Sequence, residues 1–403
     1  MNLVKSMKIL GIIAEYNPFH NGHALHLRES MAQSHATHSL AIMSGPFVQR
    51  GEPALLDPYK RARMAVDSGV NLVLEMPLFA AISSAEGFAA GSIKALEALN
   101  VVDCLAFGSE SHDLEQLMGI SRQLASESPQ FKVTLKHYLD QGHSFMKARE
   151  NTLMDLGILK TSLKSNDILG LEYLKALEQL GSAMTPMTIK RHKVGYHSLA
   201  LEEGLASATA IRKWHEEGRW EYIEQAMPMK AYEILRQAKH HALLSRAYPL
   251  IRYTLLTMDK STLASLYEIR EGLDNRLLKA ARATADFGEF MAKVLTKRYP
   301  RTRIQRVLVY LLLQITSESV HTFDLKEPKF LRVLGADQKG LELLGLFQKK
   351  STLPLIVKEG DFTSRDPILL YQLELGRRAQ DLHSILSQEP WGRDYRNSPY
   401  IKP

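Results

Sequence analysis

The sequence predicts an α/β protein: a parallel sheet with helices on both faces and a helical insertion, followed by a mainly α-helical C-terminal region. Three observations predict it. Short apolar runs alternate with amphipathic stretches through the first third of the chain, the pattern of strand–helix–strand units whose sheet is covered on both sides. Each apolar run ends in a loop rich in polar residues and glycine, and in such sheets ligands bind at the carboxyl ends of the strands. Beyond about residue 220 the apolar period becomes almost wholly helical.

In chain order, Ile9-Leu10-Gly11-Ile12-Ile13-Ala14 reads as a buried strand, then Ser39 to Met43, Leu72 to Met76 and Cys104 to Phe107. Pro58 to Ser68 and Ala85 to Leu99 read as helices between them. Residues 112–165 are amphipathic and read as an insertion. Met187 to Lys190 returns to the sheet, a loop runs from Arg191 to Ser198, and a short helix follows Ser207-Ala208-Thr209. The expected division is therefore 1–220 and 221–403. Within the second part, Val307 to Ile315 reads as a buried helix segment. From Lys326 the pattern is mixed, and the proline-containing tail reads as poorly structured.

Composition sets bounds. A chain of 403 residues is long enough for two domains. An apolar fraction of 45% and a charged fraction of 24% are those of a globular protein. No apolar run approaches the ~20 residues needed to span a bilayer, so no membrane partner is expected. The N-terminus has no long apolar stretch and no small-residue cleavage site, which argues against a signal peptide, and Met7 is an alternative start. The single cysteine, Cys104, excludes an internal disulfide and a cysteine-based zinc site and fits a reducing cytoplasm. The formal charge of +7 and isoelectric point near 9.2 favour a polyanionic partner.

The segment that carries chemistry is Glu15-Tyr16-Asn17-Pro18-Phe19-His20-Asn21-Gly22-His23, directly after the first strand. Pro18 disfavours helix at Asn17 and forces a turn. Gly22 removes a side chain where a ligand can approach the backbone. His20 and His23, three apart, share one face of a helical turn. Two imidazoles beside free helix N–H groups make a phosphate site, able to stabilise charge on a transferring phosphoryl group without a covalent intermediate. The alternatives are ordinary histidines, or half of a zinc site for which His26 would be the third ligand. A glycine-rich dinucleotide or P-loop fingerprint is absent.

The His20–His23 turn resembles the motif of the HIGH superfamily of nucleotidyltransferases and class I aminoacyl-tRNA synthetases. Ser207-Ala208-Thr209-Ala210-Ile211-Arg212 resembles the superfamily's second element, with Ser207 or Thr209 as helix cap and Arg212 as a fork-shaped cation. A wider set is similar to one family, the bacterial tRNA(Met) cytidine acetate ligases. It comprises Glu15 to His23, Ser44-Gly45-Pro46-Phe47-Val48-Gln49-Arg50-Gly51-Glu52-Pro53, Asn166-Asp167-Ile168-Leu169-Gly170, Ile189-Lys190-Arg191, Ser207 to Arg212, Glu271 to Arg276 and Arg301 to Arg306. These segments span nearly the whole chain, in order.

The resemblance implies a parallel-sheet, Rossmann-like, HIGH-type nucleotidyltransferase domain. It implies a ligase that forms acetyl-adenylate from acetate and ATP, then acetylates the wobble cytidine of elongator tRNA(Met). By position it implies an ATP site of Ile13, Ala14, Glu15, Tyr16, Asn17, Pro18, Phe19, His20, Asn21, Gly22, His23, Ala24, Leu25 and His26. Gly108, Asn166, Arg191, Ser207, Thr209 and Arg212 complete it, with His20 and His23 catalytic and Mg²⁺ neutralising the phosphates. No protein partner is implied. Two positions depart from the family pattern: Asp167 stands where a second amide is expected, and Ser165 where proline is expected. Other readings of the same residues are an adenylyltransferase acting on a phosphorylated small molecule and a non-catalytic RNA-binding protein.

Two charged features remain. Arg50 follows the second strand and either holds a carboxylate or phosphate or is a solvated loop residue. Asp57 and Lys60 read as a helix start and its exposed face. Lys297, Arg298, Arg301, Arg303 and Arg306 place five cations in ten residues around Tyr299 and Pro300. Their density, the neighbouring aromatic and the resemblance make them an expected tRNA-binding element. Arg276, Lys279 and Arg282, at helical spacing, would extend it.

Overall fold

The computed structural model describes residues 7–159, 162–191, 204–238, 241–392 and 396–403. Residues 192–198 of the expected loop after Arg191 lie outside these. Five parallel strands form the heart of the molecule: β1 (Ile9–Ala14), β2 (His38–Met43), β3 (Leu72–Glu75), β4 (Cys104–Ser109) and β5 (Thr185–Lys190), in the order β5-β4-β1-β2-β3. Leu40, Ile42, Leu72, Leu74 and Leu105 are fully buried because helices cover both faces. The order reverses between β1 and β4, and a crevice opens at such a switch point, outside the carboxyl ends of the strands.

The expected helices form with ends one and two residues earlier than expected, Pro58–Asp67 and Ala85–Glu97. The insertion is three helices, Leu114–Ala125, Pro129–Asp140 and Phe145–Asp155. Each starts on a residue whose side chain accepts an N–H of the first turn: Asp113, Ser128 and Ser144. Helix Ser165–Leu180 follows and leads into β5.

Between Trp220 and Thr322 the described residues form mainly helices. Their core includes Leu277, Phe290, Ile304, Tyr310 and Leu311, and also Phe47 and Phe79 of the sheet half. The two halves are thus welded by shared apolar contacts. The last segment differs from its expectation. Leu331–Ala336 forms β6, antiparallel to β3, extending the sheet by an edge. Helices Gln338–Lys350 and Pro367–Leu386 follow, with β7 (Leu355–Ile356) between them beside β6. The tail, read as poorly structured, ends in β8 (Tyr400–Ile401), which pairs with β6. Tyr400 also donates its hydroxyl to Asp67, 2.9 Å away. No helix among the described residues is long and apolar enough to cross a membrane.

Candidate active site

A cleft of about 390 Å³ opens where β1 and β4 end. Of the expected nucleotide residues, Ile13, Ala14, Glu15, Tyr16, His20, Gly22, His23, Leu25, His26, Gly108, Asn166, Arg191 and Ser207 line it. Asn17, Pro18, Phe19, Asn21, Ala24, Thr209 and Arg212 do not. Phe19 is fully buried in the core. Asn17 accepts the Leu55 N–H through its side chain at 2.7 Å. Asn21 donates to the carbonyls of Gly204 and Gln225 at 2.9 and 2.8 Å. These residues hold the turn in place rather than face the cleft.

The turn itself is built from its backbone outward. Tyr16 takes a left-handed conformation, φ 44°, which bends the chain away from β1. His20 then caps helix Asn21–Ser34: its Nδ1 accepts the Gly22 N–H at 3.1 Å, while Nδ1 of His23 accepts the His20 N–H at 3.3 Å. A Cβ at Gly22 would stand 2.9 Å from the His20 ring, so the space its missing side chain leaves is filled by that imidazole as well as by the cleft. The two rings stack, centroids 3.7 Å apart. Since each Nδ1 is an acceptor, each neutral ring carries its proton on Nε2. The pair is therefore a double N–H donor at the mouth of a helix N-terminus. The same use of Nδ1 removes one lone pair per ring from any metal, and no group of three or more metal-ligating side chains gathers among the described residues.

Burial holds His20 at about 3, His23 well below the usual imidazole range and His26 at about 4, with Arg191 adding a repulsive charge to each. His383, buried under the Ala54 carbonyl, is likewise held at about 4 by burial. The unfolded chain binds these protons near pH 6.5 and the folded one does not. Stability is thus complete above about pH 6.5 and falls as pH drops towards 4, by up to about 1.4 kcal/mol per pH unit per histidine. Urea midpoints at pH 7 and pH 5 are expected to differ sharply, and His383→Gln should flatten the dependence. Equal midpoints would show that these imidazoles protonate without cost.

Opposite the histidines lies the loop after β2. Val48 and Glu52 pair across a tight turn whose Gly51 has φ 73°. A Cβ there would strike the backbone of Arg306 at 2.3 Å, so the loop lies flat on helix Arg301–Leu313. Gln305 of that helix donates to Glu52 at 2.9 Å. The turn thereby presents Gln49 and Arg50 to the cleft, and the Gln49 N–H donates to the Glu15 carboxylate at 2.9 Å. Burial raises the Glu15 carboxyl against the pull of Arg212, Arg50 and Arg61.

Arg61 was not singled out in the sequence. It is fully buried, and its guanidinium donates to the carbonyls of Leu56 (3.0 Å), Glu15 (2.6 Å), Ser44 (2.9 Å) and Gly45. One side chain thus ties the loops after β1 and β2 together. Desolvation lowers it to about 10, and the carboxylates of Asp57, Glu15 and Glu75 oppose that shift. Asp57 caps its helix as expected, bonding the Lys60 N–H at 3.0 Å. Lys60, expected on the exposed face, is half-buried and paired with Glu389 at 2.7 Å.

The remaining walls come from β4, β5 and two helix starts. Gly108 lets the Arg191 side chain pass: a Cβ would stand 3.1 Å from it. Arg191 donates to the Asn166 side-chain oxygen at 3.2 Å, and Asn166 donates to Glu110 at 2.5 Å. Asp167, one of the two departures, is buried and accepts from Ser109 Oγ at 2.5 Å and from the N–H groups of Glu110 and Ser111, both at 3.1 Å. An amide has one acceptor oxygen and could not serve this set as well, so the residue fastens the loop after β4. Ser165, the other departure, begins the helix and lines the cleft. Ser207 caps helix Ala208–Glu216 through the Ala210 N–H, 3.1 Å. Arg212 donates to the Asn17 carbonyl at 2.9 Å and to Thr209 Oγ1 at 3.4 Å, joining the second motif to the first.

The basic cluster is divided by packing. Lys297, Arg298 and Arg301 are exposed. Arg298 pairs with Glu271 at 2.5 Å, and Arg303 sits between Glu268 and the Tyr299 ring. Arg306 departs from its expectation as a surface cation: it is buried where its helix meets the Gly51 turn, so packing takes it out of solvent. Arg276 donates to the Val294 carbonyl at 2.8 Å, while Lys279 and Arg282 remain exposed.

The family model for the HIGH Nucleotidyl Transferases matches residues 7–397. A tRNA(Met) cytidine acetate ligase of Caldanaerobacter subterraneus subsp. tengcongensis is 43% identical over 367 residues, covering 89% of this chain and 90% of that protein. One from Acetivibrio thermocellus is 37% identical over 399 residues, covering 95% and 96%. The fold is similar to a crystal structure of Thermotoga maritima TmcAL bound with alpha-thio ATP, at a TM-score of 0.89 and 32% identity, covering 98% and 99% of the two chains. The apo form of that protein aligns at 0.91.

Proposed function

The chain belongs to the HIGH nucleotidyl transferases and, within them, to the tRNA(Met) cytidine acetate ligases, and from that premise we propose how its cleft works. It uses ATP to activate acetate and passes the acetyl group to the wobble cytidine of elongator tRNA(Met), yielding N4-acetylcytidine. The observation that carries this reading is the stacked pair of neutral imidazoles, each with its proton on Nε2, at a helix N-terminus in a cleft that Arg50 and Arg191 also line.

ATP lies over the His20–His23 turn with its phosphates towards the helix N-termini capped by His20 and Ser207. An acetate oxygen attacks the α-phosphorus in line and pyrophosphate leaves, giving acetyl-adenylate. No protein nucleophile is needed, because positioning and charge stabilisation carry such transfers. His20 and His23 donate hydrogen bonds to the charge that develops, and Arg50 holds the acetate carboxylate. Mg²⁺ bound to the triphosphate would supply further neutralisation of its charge. The anhydride is shielded from water until the cytidine amine reaches it. The helical part from residue 221 presents the tRNA, and its exposed cations Lys297, Arg298 and Arg301 meet backbone phosphates. The helix that Arg301 begins packs against the Gly51 turn, which supports an RNA surface next to the cleft. The enzyme acts in the cytoplasm, where its tRNA is.

Incubation with ATP, labelled acetate and total tRNA, followed by nucleoside analysis, tests the whole reading: acetylcytidine in methionine tRNA is the expected product. Pyrophosphate exchange that depends on a phosphoester instead of acetate would favour the adenylyltransferase reading. In the same assay, Lys297→Glu with Arg301→Glu should weaken tRNA binding and cut the yield. A single change to alanine should flatten the salt dependence of binding by about one unit of slope. Unchanged affinity would move the RNA surface elsewhere.

A further inference from the structure

The transfer step leaves one proton without a destination, and one cleft group is unused by the activation step. The exocyclic amine of cytidine loses a proton when it becomes an amide. His20 and His23 cannot take it, since Nδ1 of each is engaged by a backbone N–H and Nε2 already bears hydrogen. Among the described residues, two carboxylates line the cleft, Glu15 and Glu29. Glu29 lies nearly two helical turns beyond His23, about 9 Å along the axis at 1.5 Å per residue. Glu15 directly follows β1, at the start of the segment that leads into the His20–His23 turn.

The Glu15 carboxylate is anchored at one oxygen. Oε1 takes the Gln49 N–H at 2.9 Å, and the Glu15 carbonyl is fixed by Arg61 at 2.6 Å. Arg50 lines the same cleft. The residue is therefore rigid at the backbone, anchored at one oxygen and in the chamber where the activated acetyl group forms.

Resting on the acetyl-transfer reading above, we propose that Glu15 is the general base of the transfer step. The N4 lone pair attacks the acetyl carbonyl carbon. The carbon–oxygen bond to the adenylate phosphate breaks, and AMP leaves with the electron pair. The proton from N4 passes to the Glu15 carboxylate and then to solvent. Burial, which raises the Glu15 carboxyl, strengthens it as a base.

The test supplies synthetic acetyl-adenylate to the full-length protein, so transfer to tRNA is measured whether or not a variant can activate acetate. Single-turnover rates are followed against pH. For the natural protein the rate should rise through one ionisation to a plateau. Glu15→Gln keeps an acceptor for the Gln49 N–H and should lower the plateau by about 100- to 10,000-fold and remove the rising limb. Glu15→Asp should keep the limb at a reduced plateau. A Glu15→Gln rate within threefold of the natural protein, or a limb that survives in it, would overturn the assignment. So would a Glu15→Asp protein that has lost the limb. If the natural protein itself transfers no acetyl group from the adenylate, the functional reading falls instead, and the two failures are distinct.

Discussion

Replacing His20 or His23 with asparagine is expected to lower acetate-dependent pyrophosphate exchange by about 100- to 1,000-fold while leaving the fold intact. Asparagine is the informative choice. Its side-chain oxygen sits near where Nδ1 does and is a strong helix cap, so the Gly22 N–H keeps an acceptor when residue 20 is changed. The His20 N–H likewise keeps its partner when residue 23 is changed. What disappears is the Nε2–H donor. The substitution thus separates capping from charge stabilisation, which alanine would remove together. The rings donate while neutral, held so by burial and by Arg191, so they give hydrogen bonds and carry no charge of their own. Exchange and thermal melting on both single variants and the double variant are the measurement. A folded double variant with near-normal exchange would take these histidines out of the reaction.

Much of this site was legible because its signals are local. The five strands of the parallel sheet announce themselves as apolar runs closed by polar loops, and the His-x-Gly-His spacing places two rings on one helical face. The Ser207 cap is equally local. What stayed hidden depends on partners far away in the chain. Leu331 to Ala336 is a short apolar run like many others, and only β3, more than 250 residues earlier, makes it a strand of this sheet. Arg61 sits in a stretch with Lys60 and Arg63, where a charge reads as a solvated face; its four carbonyl partners come from three separate loop segments. Arg306 has the same difficulty in reverse, since charge density marks an RNA-facing surface but cannot say which cation the Gly51 turn covers. Asp167 looked like a lost amide contact until the loop at 109–111 supplied its donors.

Arg61→Met is expected to cost about 3–5 kcal/mol of stability and to weaken the nucleotide cleft, the larger structural effect of any single change considered for this protein. The carbonyls of Leu56, Glu15, Ser44 and Gly45 all lose their guanidinium donor at once in a site without solvent. Methionine fills the volume but donates nothing, so the penalty is that of stranded acceptors and of the Asp57, Glu15 and Glu75 carboxylates left without this cation. Lysine is a sharper probe of the geometry. It keeps a charge but has a single nitrogen with three donors, which cannot span the four carbonyls that the planar fork reaches. Arg61→Lys should therefore recover only part of the stability. Because the same carbonyls fix the ends of β1 and β2, both variants should also loosen the Glu15 and Gln49 contact and raise the KM for ATP. Urea unfolding and ATP titration on the two variants check this together. A loss below about 1 kcal/mol for Arg61→Met would mean that the loops find other donors, and the clamp would then be incidental to the site.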